Sequence, residues 1–305
     1  MGEREMNPVV EVRGLSRRFG DTMALDEVTF ALRPNVIYGL LGRNGAGKTT
    51  LMQILTGQQF VSTGTVRVMG SAPLENDAAL AQTCFVRENQ RYPDWFKVMH
   101  ALRAASYLFP RWDQDYADSL VDDFRLPRSR QVRKLSRGTL SAVGVIIGLA
   151  SRAPLTFFDE PYLGLDAVAR QLFYDRLLAD YAEHPRTVVL STHLIDEVAD
   201  LVEHVLLLDR GRLVLDEASD HLRGQVVTVT GPSAAVQSFA ADRTELHRTS
   251  IGPVTRATLR GAVDEQTKAF ADRLGLRVEP ASLQQLVVSL TGGPAMDHGS
   301  KESLR

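Results

Sequence analysis

The sequence has little excess charge of either sign and almost no cysteine. Its 305 residues include 35 lysines and arginines against 37 aspartates and glutamates, a formal net charge of -2. Proteins that act mainly on nucleic acid usually carry a basic excess or a basic stripe, so we expect no nucleic-acid partner. The one cysteine, Cys84, excludes an internal disulfide bond. We expect it to be a small apolar strand residue of a protein in a reducing compartment.

The sequence also lacks a long hydrophobic run. The longest apolar stretch, residues 142–150, is soon followed by Arg152 and Pro154. It is far shorter than the roughly 18 residues that a membrane-spanning helix needs. The first residues, MGEREMN, contain no apolar segment of the kind found in signal peptides. We therefore expect a globular protein that does not cross a membrane by itself, with room for one large α/β domain and a smaller one.

A glycine-rich loop is the most informative feature that is present. The segment GLLGRNGAGKTTLMQIL (residues 39–55) begins within a predicted buried strand at 36–41, and its end, residues 49–55, has the spacing of a helix. Glycine allows backbone N–H groups to turn toward a guest, and a helix N-terminus favours negative charge. The spacing matches G-x-x-x-x-G-K-[ST], which predicts a site for a polyphosphate.

Each residue of this loop has an expected role. The backbone N–H groups would surround the β-phosphate, Lys48 would reach the β and γ oxygens, and the Thr49 hydroxyl would bind Mg²⁺. Thr50 would add a further phosphate contact. The predicted phosphate-binding residues are Gly42, Arg43, Asn44, Gly45, Ala46, Gly47, Lys48, Thr49 and Thr50.

Two further sites follow predicted buried strands. In LTFFDEP (residues 155–161) an apolar run ends in two acids, as at the C-terminal edge of an α/β sheet where ligands bind. Asp159 is predicted to hold Mg²⁺, and Glu160 to orient the water that attacks the γ-phosphate; a helix-starting acid pair is the alternative. His193 follows the strand predicted at 187–190 and could place an imidazole beside the γ-phosphate, or could simply cap a helix.

The remaining pattern predicts a layered α/β protein. Strands are expected at 9–12, 28–32, 36–41 and 64–69, and helices between about 93 and 133. Helices at 142–150, 167–181 and 194–202 then alternate with strands at 155–158, 187–190 and 205–208, which indicates a parallel sheet. Beyond about residue 221 the order β-α-β-β-α-β, followed by a helix at 282–290, predicts a ferredoxin-like domain. Residues 292–305 are expected to be disordered.

Taken in order, these motifs resemble those of the ATP-binding subunit of an ABC transporter. The phosphate loop, the signature LSRGT (residues 135–139), the acid pair, the D-loop GLD (residues 164–166) and His193 match over residues 8–220. The resemblance implies a P-loop ABC ATPase core with a β-rich N-terminal part, a helical insert at about 93–140 and a C-terminal accessory domain at 221–291. It also implies that Phe19 stacks on adenine, although packing in the core is an alternative for that ring.

The resemblance further implies how the protein works. By this resemblance, Ser136 and the N–H of Gly138 would contact a γ-phosphate bound by a second protomer. The D-loop Asp166 would lie near the same nucleotide, so that two chains enclose Mg²⁺-ATP. We therefore expect a homodimer, or a heterodimer with a related chain, on the cytoplasmic face of the membrane beside a separate permease. The stretches YLFPRWD and YLGLD are similar to those of exporter ATPases. Trp95, Phe96 and Val98 would contact the permease or merely pack the insert.

Two motifs depart from the family pattern. Arg137 and Thr139 replace a glycine and a glutamine of the usual signature, while Ser136 and Gly138 remain. The Q-loop glutamine, which senses Mg²⁺, aligns with Glu88, and Gln90 is its rival. Because of these departures, a weakly catalytic subunit of a heterodimer is an alternative function for this chain. A non-transport ABC ATPase is a further alternative.

Overall fold

The computed structural model describes residues 7–88, 90–261 and 265–291. The chain forms two compact units that divide between Glu217 and Ala218, against the boundary at residue 220 expected from the sequence. The predicted disordered tail, residues 292–305, lies outside the described residues. Within the described ranges, no helix has both the length and the apolar character needed to cross a bilayer.

The first unit contains nine strands and seven α-helices within the described residues. The strands are β1 (Val10–Phe19), β2 (Thr22–Leu32), β3 (Ile37–Leu41), β4 (Thr63–Val68), β5 (Thr83–Arg87), β6 (Leu155–Asp159), β7 (Thr187–Thr192), β8 (His204–Asp209) and β9 (Arg212–Ala218, which runs one residue past the division). The helices are α1 (Lys48–Leu55), α2 (Asp77–Leu80), α3 (Val98–Leu108), α4 (Gln114–Asp123), α5 (Arg137–Ala150), α6 (Ala167–Glu183) and α7 (Ile195–Val198), and a 3-10 turn spans Val132–Lys134.

The strands form a six-stranded sheet and a three-stranded sheet. The larger sheet has the order β5-β6-β7-β3-β8-β9, and β5, β6, β7, β3 and β8 are parallel. Every residue of β3, β6 and β7 is buried, which explains why these strands are continuous apolar runs in the sequence. In the smaller sheet, β1 pairs antiparallel with β2 and β4. One hydrophobic core cluster contains residues from both sheets and from α1.

This topology places three loops side by side. Since β6, β7 and β3 are neighbours and parallel, the segments that follow them leave the same edge of the sheet. Those segments carry the acid pair, His193 and the phosphate loop. The fold therefore brings together side chains that lie up to 150 residues apart in the sequence, on the order of a whole domain length.

The sequence prediction was wrong about the helix at 194–202. The structure has only the single turn α7 there, although the apolar spacing continues to Val202. The chain leaves the helix because β8 has to pair with β3, where Tyr38 lies opposite His204. A Cβ on Gly39 of β3 would lie 3.0 Å from the Val202 side chain, so Val202 packs closely over the glycine. Tertiary packing thus overrides the local helical pattern.

The second unit has the order β-α-β-β-α-β with flanking helices. It comprises α8 (Ser219–Gln225), β10 (Val226–Pro232), α9 (Ser233–Ala240), β11 (Thr244–Ile251), β12 (Val254–Arg260), α10 (Glu265–Arg273), β13 (Arg277–Pro280) and α11 (Leu283–Thr291). Its sheet has the order β11-β12-β10-β13, and all neighbours are antiparallel. A separate hydrophobic cluster, which includes Val229, Phe239 and Leu259, forms its core.

Two glycines of α5 give a matched test of the core of the first unit. A Cβ on Gly148 would lie 2.4 Å from the Phe158 ring, whereas a Cβ on Gly144 would meet only Val86, at 3.0 Å. Both changes to alanine favour the helix equally, so their difference reports crowding. We expect Gly148→Ala to be less stable than Gly144→Ala by about 1–3 kcal/mol, measured by chemical denaturation. Equal stabilities would contradict the tight contact between α5 and β6.

Candidate functional site

A cleft of about 560 Å³ lies at the edge of the larger sheet where β3, β6 and β7 end. Eleven of the residues predicted from the sequence line it. They are Asn44, Gly45, Ala46, Gly47, Lys48, Thr49, Thr50, Glu88, Asp159, Glu160 and His193. Thr22, Met23, Ala24 and Leu163 also line it, and the sequence pattern gave no signal for these four.

The phosphate loop depends on glycine at its two ends. Gly42 has a φ of 147° and Gly47 a φ of 106°, values that residues with a Cβ rarely adopt. A Cβ on Gly42 would lie 2.3 Å from the Leu208 carbonyl oxygen, and a Cβ on Gly47 would lie 2.6 Å from the Ala24 carbonyl oxygen. The loop is therefore held between β8 and β2, and only glycine fits at these two points.

Lys48 is held inside the loop by two carbonyl oxygens. Its Nζ donates to Gly42 O at 2.7 Å and to Arg43 O at 3.4 Å, and only 7 % of the residue is exposed. Burial lowers the pKa of the Lys48 ammonium from its ordinary value, while the charges of Glu160 and Asp159 act in the opposite direction. The two carboxylates thus favour a charged lysine at the point where phosphate oxygens are expected.

Thr49 and Asp159 lie in contact across the cleft. The Thr49 hydroxyl donates to Asp159 Oδ2 at 2.8 Å and so links the first turn of α1 to the end of β6. Mg²⁺ prefers oxygen ligands and commonly takes one or two from the protein and the rest from water and substrate phosphates. A hydroxyl and a carboxylate beside a phosphate loop fit this requirement.

Glu160 occupies an uncommon backbone conformation directly after β6. Its φ is 50°, in the left-handed region, and its N–H donates to Ser191 O of β7 at 3.1 Å. Such a conformation costs about 1–3 kcal/mol and persists where its surroundings enforce it, often at functional sites. The Glu160 carboxylate is only 12 % exposed, and its Oε2 lies 2.7 Å from Nδ1 of His193. The structure therefore brings the predicted acid and histidine into direct contact.

Tyr162 joins this pair, and the sequence analysis did not identify it. The Tyr162 hydroxyl contacts Glu160 Oε2 and lies 3.1 Å from Nδ1 of His193, while the residue is only 2 % exposed. The contact with His193 spans 31 residues of sequence, so no local spacing could have indicated it.

The signature residues lie at the N-terminus of α5 and are not among those that line the cleft. Ser136 caps the helix, and its Oγ accepts the N–H of Thr139 at 3.2 Å. A Cβ on Gly138 would lie 2.2 Å from the carbonyl oxygen of Gly164 in the D-loop, so the signature packs closely against that loop. Asp166 in turn caps α6 by accepting the Ala169 N–H at 2.8 Å.

Phe19 lies at the end of β1, as the register partner of the cleft residue Thr22. It is 42 % exposed, and the Arg17 guanidinium carbon lies 4.3 Å from its ring centroid. An exposed ring at this position suits stacking better than core packing, and adenine stacking stays a prediction.

Two of the three apolar residues expected to meet a permease differ sharply in exposure. Trp95 is 67 % exposed, whereas Val98 is fully buried in α3. Val98 therefore packs within the helical insert, because the first turn of α3 directs it inward. Tyr107 and Leu108, at the other end of α3, are 82 % and 68 % exposed.

The two departures from the family pattern form an ion pair with each other. The Arg137 guanidinium donates to the Glu88 carboxylate, which links the first turn of α5 to the loop after β5. Glu88, and not its rival Gln90, is among the residues that line the cleft. A glutamine and a glycine at these positions could not form this ion pair.

Comparisons with known proteins show which family this chain resembles. A protein-family model with the description ABC transporter matches residues 25–163 of this chain. An uncharacterized ABC transporter ATP-binding protein of Methanocaldococcus jannaschii is 32% identical over 216 residues, which cover 68% of this chain and 77% of that protein. The Nod factor export ATP-binding protein I of Mesorhizobium japonicum is 28% identical over 297 residues, 93% of this chain and 86% of that protein.

A solved structure shows the same core fold. It is described as an ATP-binding subunit of an ABC transporter and superposes with a TM-score of 0.64 at 24% identity, over 70% of this chain and 92% of that one. The predicted α/β fold of the core is confirmed by this likeness.

The pair of Glu88 and Arg137 can be measured by a double-mutant cycle. Glu88→Gln, Arg137→Gln and the double variant are compared by chemical denaturation, since the cycle subtracts what each change does alone. Both side chains are partly exposed, so we expect a favourable coupling of about 0.2–1 kcal/mol at low salt that shrinks at high salt. Additive effects at low salt would show that the two groups do not interact.

Proposed function

We propose that this chain, which belongs to the ABC transporter ATP-binding proteins, drives substrate export by a separate membrane permease. ABC ATPases bind ATP and hydrolyse it, and this chain is one of them. The observation that carries the assignment of ATP hydrolysis to this chain is the convergence of the phosphate loop, the acid pair and His193 on one cleft.

The cleft supplies the groups that hydrolysis needs. The loop N–H groups and Lys48 hold the β- and γ-phosphates, where they offset the charge that develops during phosphoryl transfer. Glu160 accepts a hydrogen bond from the attacking water and aligns it with the γ-phosphorus. The bond from the water oxygen to the γ-phosphorus forms as the bond from that phosphorus to the bridging oxygen breaks. The bridging oxygen leaves with ADP, and the protons of the water stay on the released phosphate. His193 lies beside Glu160 and lines the same cleft, so its imidazole would lie near the γ-phosphate.

Thr49 and Asp159 are the residues that would hold Mg²⁺. When bound, the ion supplies positive charge to the phosphate oxygens and orients them. The chain contributes one hydroxyl and one carboxylate in mutual contact. Glu88 is a further candidate ligand, because it lines the same cleft.

A second chain would complete the site. Ser136 and Gly138 lie at the N-terminus of the fourteen-residue helix α5, where N–H groups and the helix dipole favour an anion. In the described part of the chain they do not line the cleft of their own protomer. We infer that they meet the γ-phosphate bound by another copy or by a related chain, and that closure on ATP transmits work to the permease.

Export and membrane location rest on resemblance and on one surface. The relative from Mesorhizobium japonicum is described as an export ATP-binding protein, and it aligns with nearly all of this chain. The exposed side chains Trp95, Tyr107 and Leu108 offer apolar contact to a permease from the cytoplasmic face of the membrane. A non-transport ABC ATPase is the rival, and co-purification with a membrane permease would decide between the two.

A weakly catalytic role in a heterodimer is the second candidate. The ion pair between Glu88 and Arg137 favours it, since it engages two groups that would otherwise be available to nucleotide. The contact between Glu160 and His193 favours full catalysis. A chain that hydrolyses ATP in the absence of any partner chain would exclude the weaker role.

Replacement of the water-positioning carboxylate tests the catalytic assignment. We expect Glu160→Gln to lower kcat by about 10²–10⁴-fold, the usual contribution of general acid-base groups, with ATP binding retained. The readouts are steady-state phosphate release and ATP affinity. Glu183→Gln, an exposed change at the end of α6, is the matched control and should behave as wild type. Full activity of Glu160→Gln would contradict the role of Glu160.

A further inference from the structure

The Tyr162 hydroxyl lies at the centre of a buried polar cluster between the ends of β6 and β7. Its oxygen accepts hydrogen bonds from the Thr192 hydroxyl at 2.8 Å and from the His193 backbone N–H at 3.1 Å. The hydroxyl also contacts Glu160 Oε2. Thr192 is 1 % exposed and Tyr162 is 2 % exposed. The Thr192 oxygen also accepts the N–H of Leu194 at 2.8 Å, which fixes its own orientation.

The donors and acceptors of this cluster can be assigned. A tyrosine hydroxyl has one proton and two acceptor positions. Since Thr192 and the His193 N–H both donate to the oxygen, the single proton of Tyr162 is free to go to Glu160. The carboxylate can only accept, so the close Nδ1 of His193 must carry its proton toward Glu160 Oε2. Two donors therefore converge on the same carboxylate oxygen.

We propose that Tyr162 is a positioning residue for ATP hydrolysis, whose hydroxyl fixes the Glu160 carboxylate and, through it, the Nδ1–H form of His193. With Oε2 engaged by two donors, rotation of the carboxylate is restrained, and Oε1 is the oxygen left to accept from water. This inference rests on the proposed role of Glu160. A group held in one orientation before reaction lowers the cost of aligning the attacking water.

The surroundings keep Tyr162 in its donor form. Burial raises the pKa of the Tyr162 phenol, and the hydrogen bond with Glu160 raises it further. The phenol therefore stays protonated at neutral pH. Its ring lies 5.8 Å from the His193 ring, so the side chain also fixes the spacing of the two segments.

Removal of the hydroxyl with the ring kept in place tests the proposal. We expect Tyr162→Phe to lower kcat per bound nucleotide about ten- to a hundredfold, the effect of losing one hydrogen bond to a charged group, with KM for ATP unchanged within about twofold. Normalisation to bound nucleotide, measured by equilibrium titration with a fluorescent ATP analogue, removes any unfolded fraction from the comparison.

A matched control exists elsewhere in the same unit. The Tyr181 hydroxyl also contacts a carboxylate, that of Glu203, at 3.0 Å, and Tyr181 is not among the residues that line the cleft. Tyr181→Phe should leave kcat and KM unchanged. An equal loss in both variants would show that removal of a tyrosine–carboxylate hydrogen bond anywhere in this unit lowers the rate through stability, which would overturn the proposal.

A cycle with Glu160→Asp separates this proposal from the one on which it rests. Aspartate keeps the charge but is one methylene shorter, so it cannot meet the Tyr162 hydroxyl in the same way. We expect Tyr162→Phe to have a much smaller effect on kcat in the Glu160→Asp background. If the effects of the two changes on kcat are additive, the proposed role of Tyr162 is overturned but that of Glu160 is not. An unchanged kcat in Glu160→Asp would overturn the role of Glu160 itself.

Discussion

The hydrogen bond between Thr49 and Asp159 is the contact on which the rest of the site depends. It joins the first turn of α1 to the end of β6 at 2.8 Å and thereby fixes the distance between the phosphate loop and the acid pair. Gly42 and Gly47 make this approach possible, because a Cβ at either position would strike a neighbouring backbone carbonyl. The chemistry of the cleft thus begins with backbone packing that only glycine permits.

The carboxylate of Glu160 is held rigidly, whereas that of Glu88, which lines the same cleft, is held only by a partly exposed ion pair. Glu160 is fixed by its strained backbone, by His193 and by the Tyr162 hydroxyl, at the ends of β6 and β7. Arg137 and Glu88, by contrast, are joined by an ion pair of partly exposed side chains, and such a pair can be exchanged at low cost. The fixed groups suit alignment of water, and the exchangeable pair suits a segment that responds to nucleotide.

Local sequence predicted the core of the site well and its cross-links poorly. The phosphate loop and the strand ends at Asp159 and His193 were predictable because backbone conformation and apolar runs are local signals. The contacts of Tyr162 with His193 and of Glu88 with Arg137 bridge distant segments, and a single sequence carries no record of them. The strand β9 was missed for a related reason: its alternating burial at a sheet edge gives a weak pattern.

The central claim is that the phosphate loop of one chain and the signature of another form one hydrolytic site. Its most direct test is ATP hydrolysis by a mixture of two inactive variants, Lys48→Ala, which loses phosphate binding, and Ser136→Arg, which blocks the signature. In a mixed dimer, one site keeps an intact phosphate loop from the second variant and an intact signature from the first. We expect the mixture of the two variants to hydrolyse ATP. A mixture that stays as inactive as the separate variants at every chain concentration would contradict it.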